Sequence, residues 1–259
     1  MSTSDDWIAH LTQERRPANT VATARRVMRS LPNASDATRE DVEAWWASRS
    51  HLSPATRSND LAILRTFYAW CRRWEHRDDD PTLRIDAPKV PRGLPRPMSR
   101  ADLTRLLPTL PDDLRRAVCL GAYGGLRVSE AAALTWHDVD LETRRVRVLG
   151  KGGKTRLVGM SPLLLDELLP DTGGNVVTAG GAPYSAAALQ RRVNRAIRAA
   201  GVDCTYHQLR HRFGTVALAA TGNLLAVSRA MGHASPATTA IYAATSDADL
   251  DVIADAVTR

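Results

Sequence analysis

Lysine is almost missing from this chain: of 35 basic side chains in 259 residues, only Lys89, Lys151 and Lys154 are not arginine. So strong a bias fits a GC-rich genome and singles out the lysines that remain. Lysine can be tuned into a proton donor, whereas arginine holds its proton too tightly to release it. Lys151 and Lys154 share the loop Gly150-Lys151-Gly152-Gly153-Lys154. There a proton-donating lysine and one that merely suits a tight glycine turn are equally good readings. Cysteine is scarce too. Cys71, Cys119 and Cys204 lie apart without CxxC pairing, which excludes a disulfide framework and a zinc site and leaves three small hydrophobes expected in cores.

No apolar run nears the roughly 18 residues of a membrane helix, and the first ten residues are polar and acidic, unlike a secretory leader. A cytoplasmic protein without a membrane partner is expected. No Asp/Glu cluster has metal-ligand spacing and no nucleotide-phosphate motif occurs, so no metal and no cofactor are expected. Repeats and low-complexity segments are missing as well.

What is there points to nucleic acid. A hydrophobic share of 44% is ample for real cores in one large domain or two modest ones, and the formal net charge of +7 calls for an anionic partner. Residues 1–85 read as a compact four-helix unit. Its strongest helix is capped by Ser53, opens on Pro54 and carries Leu61, Leu64, Phe67, Tyr68 and Cys71 at helical spacing. On its other faces Thr56, Arg57, Asn59 and Arg65 suit contact with phosphate or a groove; a solvated charged face is the alternative for each singly. Residues 86–97 hold four prolines and read as an extended linker, with a second domain from 98 to 259.

The second domain is expected to be α+β. A helix from Leu114 should end at Gly124-Gly125, and a new one starts beyond Arg127. Positive charge there opposes the helix dipole, so Arg127 needs an outside reason. Glu130 either positions Arg127 or serves as a first-turn acid. Between Arg144 and Met160 the period changes to two: Val146 and Val148, then Leu157 and Gly159, flank a turn at Gly150 to Lys154, predicting a β-hairpin with both lysines at its tip. Arg156, with Lys154, is a candidate DNA contact. Helices follow at 161–169 and 185–200.

The stretch Thr205 to Tyr242 concentrates the chemistry. In a helix from His207 to Ala219, His207 and Arg210 at i, i+3 share a face and aim two donors at anionic oxygen. A second apolar run ends at Gly232, suited to a left-handed C-cap, and His233 follows. Ser235-Pro236 then opens a helix that carries Tyr242.

Gly125-Leu126-Arg127-Val128-Ser129-Glu130, Gly150-Lys151-Gly152, His207-Gln208-Leu209-Arg210-His211, Met231-Gly232-His233 and Tyr242, in this order, resemble the motifs of the tyrosine recombinase (phage integrase) family. The residues from Ser53 to Trp70 more weakly resemble its helical core-binding domain. The resemblance implies a mainly α fold with a small β-hairpin or sheet: a helical core-binding domain and an α+β catalytic domain. It implies that Tyr242 attacks a DNA phosphate to form a 3′-phosphotyrosyl link, that Arg127 and Arg210 clamp the non-bridging oxygens, and that Lys151 protonates the leaving oxygen, with Lys154 its rival. His207 and His233 would bind the phosphate or help deprotonate the tyrosine.

The same resemblance implies double-stranded core-type DNA sites as partner, a dimer on one site and a tetramer in synapsis. Without room for an arm-binding module, the short two-domain form is expected, in a bacterial or phage-infected cell. The tail from Asp249 to Val257 reads as an amphipathic helix that docks on a neighbouring protomer or on its own domain. A phage or mobile-element integrase is the leading reading; an Xer-like resolvase, a type IB topoisomerase activity and a non-catalytic DNA-binding factor are the others.

Overall fold

The computed structural model describes residues 2–90, 96–150, 153–168, 173–233 and 238–239. The chain forms two compact units, residues 1–93 and 94–259. Lys151, Tyr242, Ser235, Pro236 and the tail from Asp249 to Val257 lie outside the described residues.

In the first unit, helices α1 (Thr3–Gln13), α2 (Ala18–Ser30), α3 (Arg39–Ser48) and α4 (Pro54–Arg73) enclose a core of Trp7, Val27, Trp45, Leu61, Leu64, Phe67, Tyr68 and Cys71. Their starts follow from the sequence: the side chains of Ser2, Thr38 and Ser53 accept the amide hydrogens of Asp5, Asp41 and Thr56. Asp60 is fully buried on α4, where Arg26 of α2 and Arg49 both donate to its carboxylate. Burial alone would raise its pKa; the two guanidiniums outweigh it and hold the carboxyl below its ordinary value.

The second unit begins with α5 (Arg100–Leu106), a 3-10 turn and α6 (Asp112–Gly124), then α7 (Val128–Ala133). Strands β1 (Val139–Asp140), β2 (Arg145–Leu149) and β3 (Thr155–Gly159) form an antiparallel sheet in that order. The hairpin is as expected, but β1 is an additional strand: two residues are too short to show a period. The inward phase of β3 also differs. Val146 pairs with Val158 and Val148 with Arg156, while Leu157 is 65% exposed. Register with β2, which buries both valines, sets that phase.

Helices α8 (Pro162–Glu167), α9 (Ala186–Ala199), α10 (Tyr206–Thr221) and α11 (Leu224–Met231) follow, with a small ribbon of β4 (Thr178–Ala179) and β5 (Ala182–Pro183) before α9. α10 lies against α6 so closely that a Cβ on Gly121 would stand 3.1 Å from the Tyr206 ring. The architecture is mainly helical with small sheets. Cys71 and Cys119 are buried as expected and Cys204 partly so.

Candidate active site

α6 ends on Gly125 in the left-handed conformation (φ 64°), where a Cβ would lie 2.4 Å from the Phe213 ring. Only glycine meets both demands. The turn it makes delivers Arg127 to the N-cap of α7. The Arg127 amide donates to Glu130 Oε2 (2.7 Å) and its Nη1 to Oε1 (2.9 Å). Glu130 therefore fills both of its sequence readings, first-turn acid and positioner of Arg127.

Glu130 is buried and takes a second guanidinium. Arg156 on β3 donates Nη1 to Oε1 (2.9 Å) and Nη2 to Oε2 (2.8 Å), and the Arg156 side chain is only 10% exposed. Arg210 on α10 brings a third, with Nη1 3.9 Å from Glu130 Oε2. Burial pushes the Glu130 pKa up, but hydrogen bonds from Arg156 and Arg127 prevail and keep it below its ordinary value.

The last carbonyls of a helix have no partner within it. In α11 the arginines supply one. Arg156 Nε donates to the Ala230 carbonyl (2.8 Å), Arg210 Nη2 to Met231 (2.6 Å), and Arg127 Nη1 and Nη2 to Met231 (3.4 Å) and Gly232 (3.0 Å). The negative end of the helix favours these cations. Arg210 Nη1 also donates to the Gly125 carbonyl. Three guanidiniums thus share one carboxylate, and the surplus positive charge suits an entering anion.

The histidines border this cluster. His233 follows Gly232, which ends α11 in the left-handed conformation (φ 62°); its amide donates to the Ser228 carbonyl (3.0 Å), and its Nδ1 lies 2.7 Å from the hydroxyl of buried Thr239. Burial first, then Arg210, Arg127 and Arg156, lower its pKa to about 4. His207 is exposed on α10 at its rim, yet neighbouring atoms crowd its ring enough that partial desolvation, then Arg210 and Arg127, lower its pKa as well. His211 packs edge-on to His207 with centroids 4.3 Å apart, and burial and His207 bring it to about 4. These shifts all favour the neutral ring at pH 7, a form able to accept a proton when negative charge arrives.

Arg127, His207, Arg210 and His233 are therefore gathered at one place. Lys154 is exposed beside β3. Arg156, expected on DNA, points inward to Glu130 instead. In the first unit the Thr56 hydroxyl is 2.9 Å from Ser53 Oγ at the helix cap, Arg57 lies 4.2 Å over the Trp46 ring, Arg65 donates to the Ile85 carbonyl, and Asn59 is exposed. Sequence reasoning missed the anchoring part of Arg156 and the Thr239 partner of His233. Alternation along β3 from Val158 would have placed Arg156 inward; nothing local marks Thr239.

The phage integrase family model matches residues 98–249. Tyrosine recombinase XerC of Xanthomonas campestris pv. campestris is 35% identical over 270 residues, spanning 93% of this chain and 84% of that protein. XerD of Vibrio cholerae is 31% identical over 219 residues, 76% and 72% of the two chains. Among solved structures, the integrase of mycobacterium phage Brujita is 27% identical with a TM-score of 0.51, covering 93% of this chain and 86% of its own. The Tn1549 transposon integrase, solved with transposon right-end DNA, has the same fold at a TM-score of 0.77, with 18% identity over 100% of both chains. This chain belongs to the phage integrase family and is a tyrosine recombinase, an enzyme of site-specific DNA strand transfer.

Proposed function

We propose that the protein cuts and rejoins duplex DNA at core-type sites through a 3′-phosphotyrosyl intermediate, as a phage or mobile-element integrase. One observation carries this reading: Arg127 and Arg210 converge on the Met231 carbonyl, next to His207 and His233. A phosphodiester nearing five-coordination gathers negative charge on its equatorial oxygens, and preorganised guanidiniums meet it there. Tyr242 is the nucleophile, displacing a 5′-oxygen that Lys151 protonates. His207 and His233, neutral beforehand, hydrogen-bond the phosphate and take up the phenol's proton. The phosphotyrosine stores the bond energy, so a second 5′-hydroxyl reverses the step without metal or ATP.

Thr56, Arg57 and Asn59 on α4, with Lys154, contact the DNA backbone; two protomers occupy one site and four the synapse, joined through the tail, in the cytoplasm. A nicked suicide duplex tests the reading. The protein should become covalently attached through Tyr242, and Tyr242→Phe should bind without attachment. An intact Tyr242→Phe adduct would overturn it.

The XerC and XerD relatives favour a second reading, resolution of chromosome or plasmid dimers. Sequencing the DNA attached to trapped protein separates the two. Junctions between a mobile element and its host support the integrase; one fixed chromosomal or plasmid site supports the resolvase.

A further inference from the structure

Arg156 turns all three of its guanidinium nitrogens toward protein acceptors, using three of its five N–H donors. Its Nη1 and Nη2 face the two oxygens of Glu130, and its Nε faces the Ala230 carbonyl at the end of α11. These partners lie on different elements, α7 and α11, while Arg156 itself comes from β3. Its route to them depends on Gly232, where an added Cβ would stand 3.0 Å from Arg156 Cδ and Nη1. The missing side chain at Gly232 thus serves twice, allowing the left-handed turn before His233 and leaving the passage for the guanidinium.

We infer that Arg156 is a positioning residue, tying the hairpin strand β3 to the Glu130 carboxylate and to the C-terminal carbonyl of α11, so that the arginine clamp and His233 are held in register with the hairpin. The inference rests on the recombinase reading above. Its physical core is the planarity of guanidinium. Three donors in one plane reach a bidentate carboxylate on one side and a carbonyl on the other, and an ammonium cannot do this. Without the fork, Glu130 keeps Arg127 and has Arg210 3.9 Å away as its next cation, so both clamp residues are drawn toward it.

Arg156→Lys keeps the charge and removes the fork. In single-turnover cleavage of the suicide duplex at saturating DNA, it should be slower by roughly 10- to 100-fold, as expected when reacting groups shift by about an ångström. Its affinity for uncleaved DNA and the salt dependence of binding should stay as in the unaltered protein. A lysine variant cleaving at the normal rate would overturn the inference. So would a variant with weakened binding and a shallower salt slope but a normal saturated rate, since that is the behaviour of a phosphate contact.

Hydrogen exchange of the free protein gives a readout independent of the reaction. The His233 amide, bonded to Ser228, should exchange faster in Arg156→Lys while the amides of α6 stay unchanged. Unaltered exchange at His233 would overturn the tie. Unaltered protein that never attaches to the suicide duplex would overturn the proposed phosphotyrosyl step at Tyr242 instead, and the exchange measurement would still decide whether Arg156 anchors α11.

Discussion

Arg156 and Glu130 meet two-point to two-point, Nη1 to Oε1 at 2.9 Å and Nη2 to Oε2 at 2.8 Å, across 26 residues of sequence. The same carboxylate holds Arg127 through its amide and its guanidinium. One acid therefore organises the cationic side of the site, and the consequences can be measured.

Loss of either clamp arginine should be severe. Arg127→Ala or Arg210→Ala should cut the cleavage rate on the order of 100-fold or more, the usual cost of one preorganised donor. Single-turnover trapping measures it, and a near-normal rate would remove that residue from the site. Arg210 is 2% exposed, so its variant should also lose stability, whereas Arg127, with its side chain 39% exposed, should lose little.

Stability should fall in mild acid. His211 and His233 have pKa values of about 4 in the folded chain against an ordinary 6.5. Between those values the unfolded chain binds protons that the folded one refuses, so stability rises with pH across that window and is level above it. Melting temperatures at pH 7, 5.5 and 4.5 should decline in that order, and His211→Gln should flatten the decline. A flat profile in the unaltered protein would contradict the shielding of these rings.

In the first unit, Asp60→Ala leaves the buried Arg49, whose side chain is 10% exposed, without its carboxylate, while half-exposed Arg26 can turn to solvent. Removing one partner of a buried ion pair costs about 3–5 kcal/mol. Trp7, Trp45, Trp46, Trp70 and Trp74 all lie in this unit, against Trp136 alone in the other, so urea unfolding followed by tryptophan fluorescence reports it. An unchanged midpoint would mean that the arginines find other partners.

Gly125→Ala combines two faults. The left-handed backbone costs an L-residue roughly 1–2 kcal/mol, and the new methyl meets the Phe213 ring at 2.4 Å. The turn before Arg127 should distort, lowering both the melting temperature and the cleavage rate. Gly153→Ala, with nothing within 4 Å of its Cβ at φ 76°, bears only the first fault and should be milder.

DNA binding should weaken steeply as salt rises, because each neutralised phosphate releases condensed counterions. Filter binding from low to physiological salt tests this. A flat profile would contradict backbone contact by α4 and Lys154.

Much was legible in one dimension because it was local. Ser53 with Pro54 announces α4, Gly124-Gly125 and Gly232 announce helix ends, and the alternation at Val146 and Val148 announces the hairpin. The spaced motifs around Arg127, His207, Arg210 and His233 identify the family, since each is a short string whose residue types are set by its own chemistry. Arg156 was legible only in part, through its alternation with Val158. A lone arginine on a strand reads as a surface cation, and its period-two phase is set by Val158 pairing with Val146 on the neighbouring strand.

The amino-acid order alone thus determined which segments become helix or hairpin and which side chains have the chemistry for a phosphate, because caps, periods and functional groups act over a few residues. Which of those groups touch was decided only in three dimensions. Glu130 gathers Arg127, Arg156 and Arg210 from three elements because burying a carboxylate is tolerable only among cations, and the open carbonyls of α11 take the donors left over.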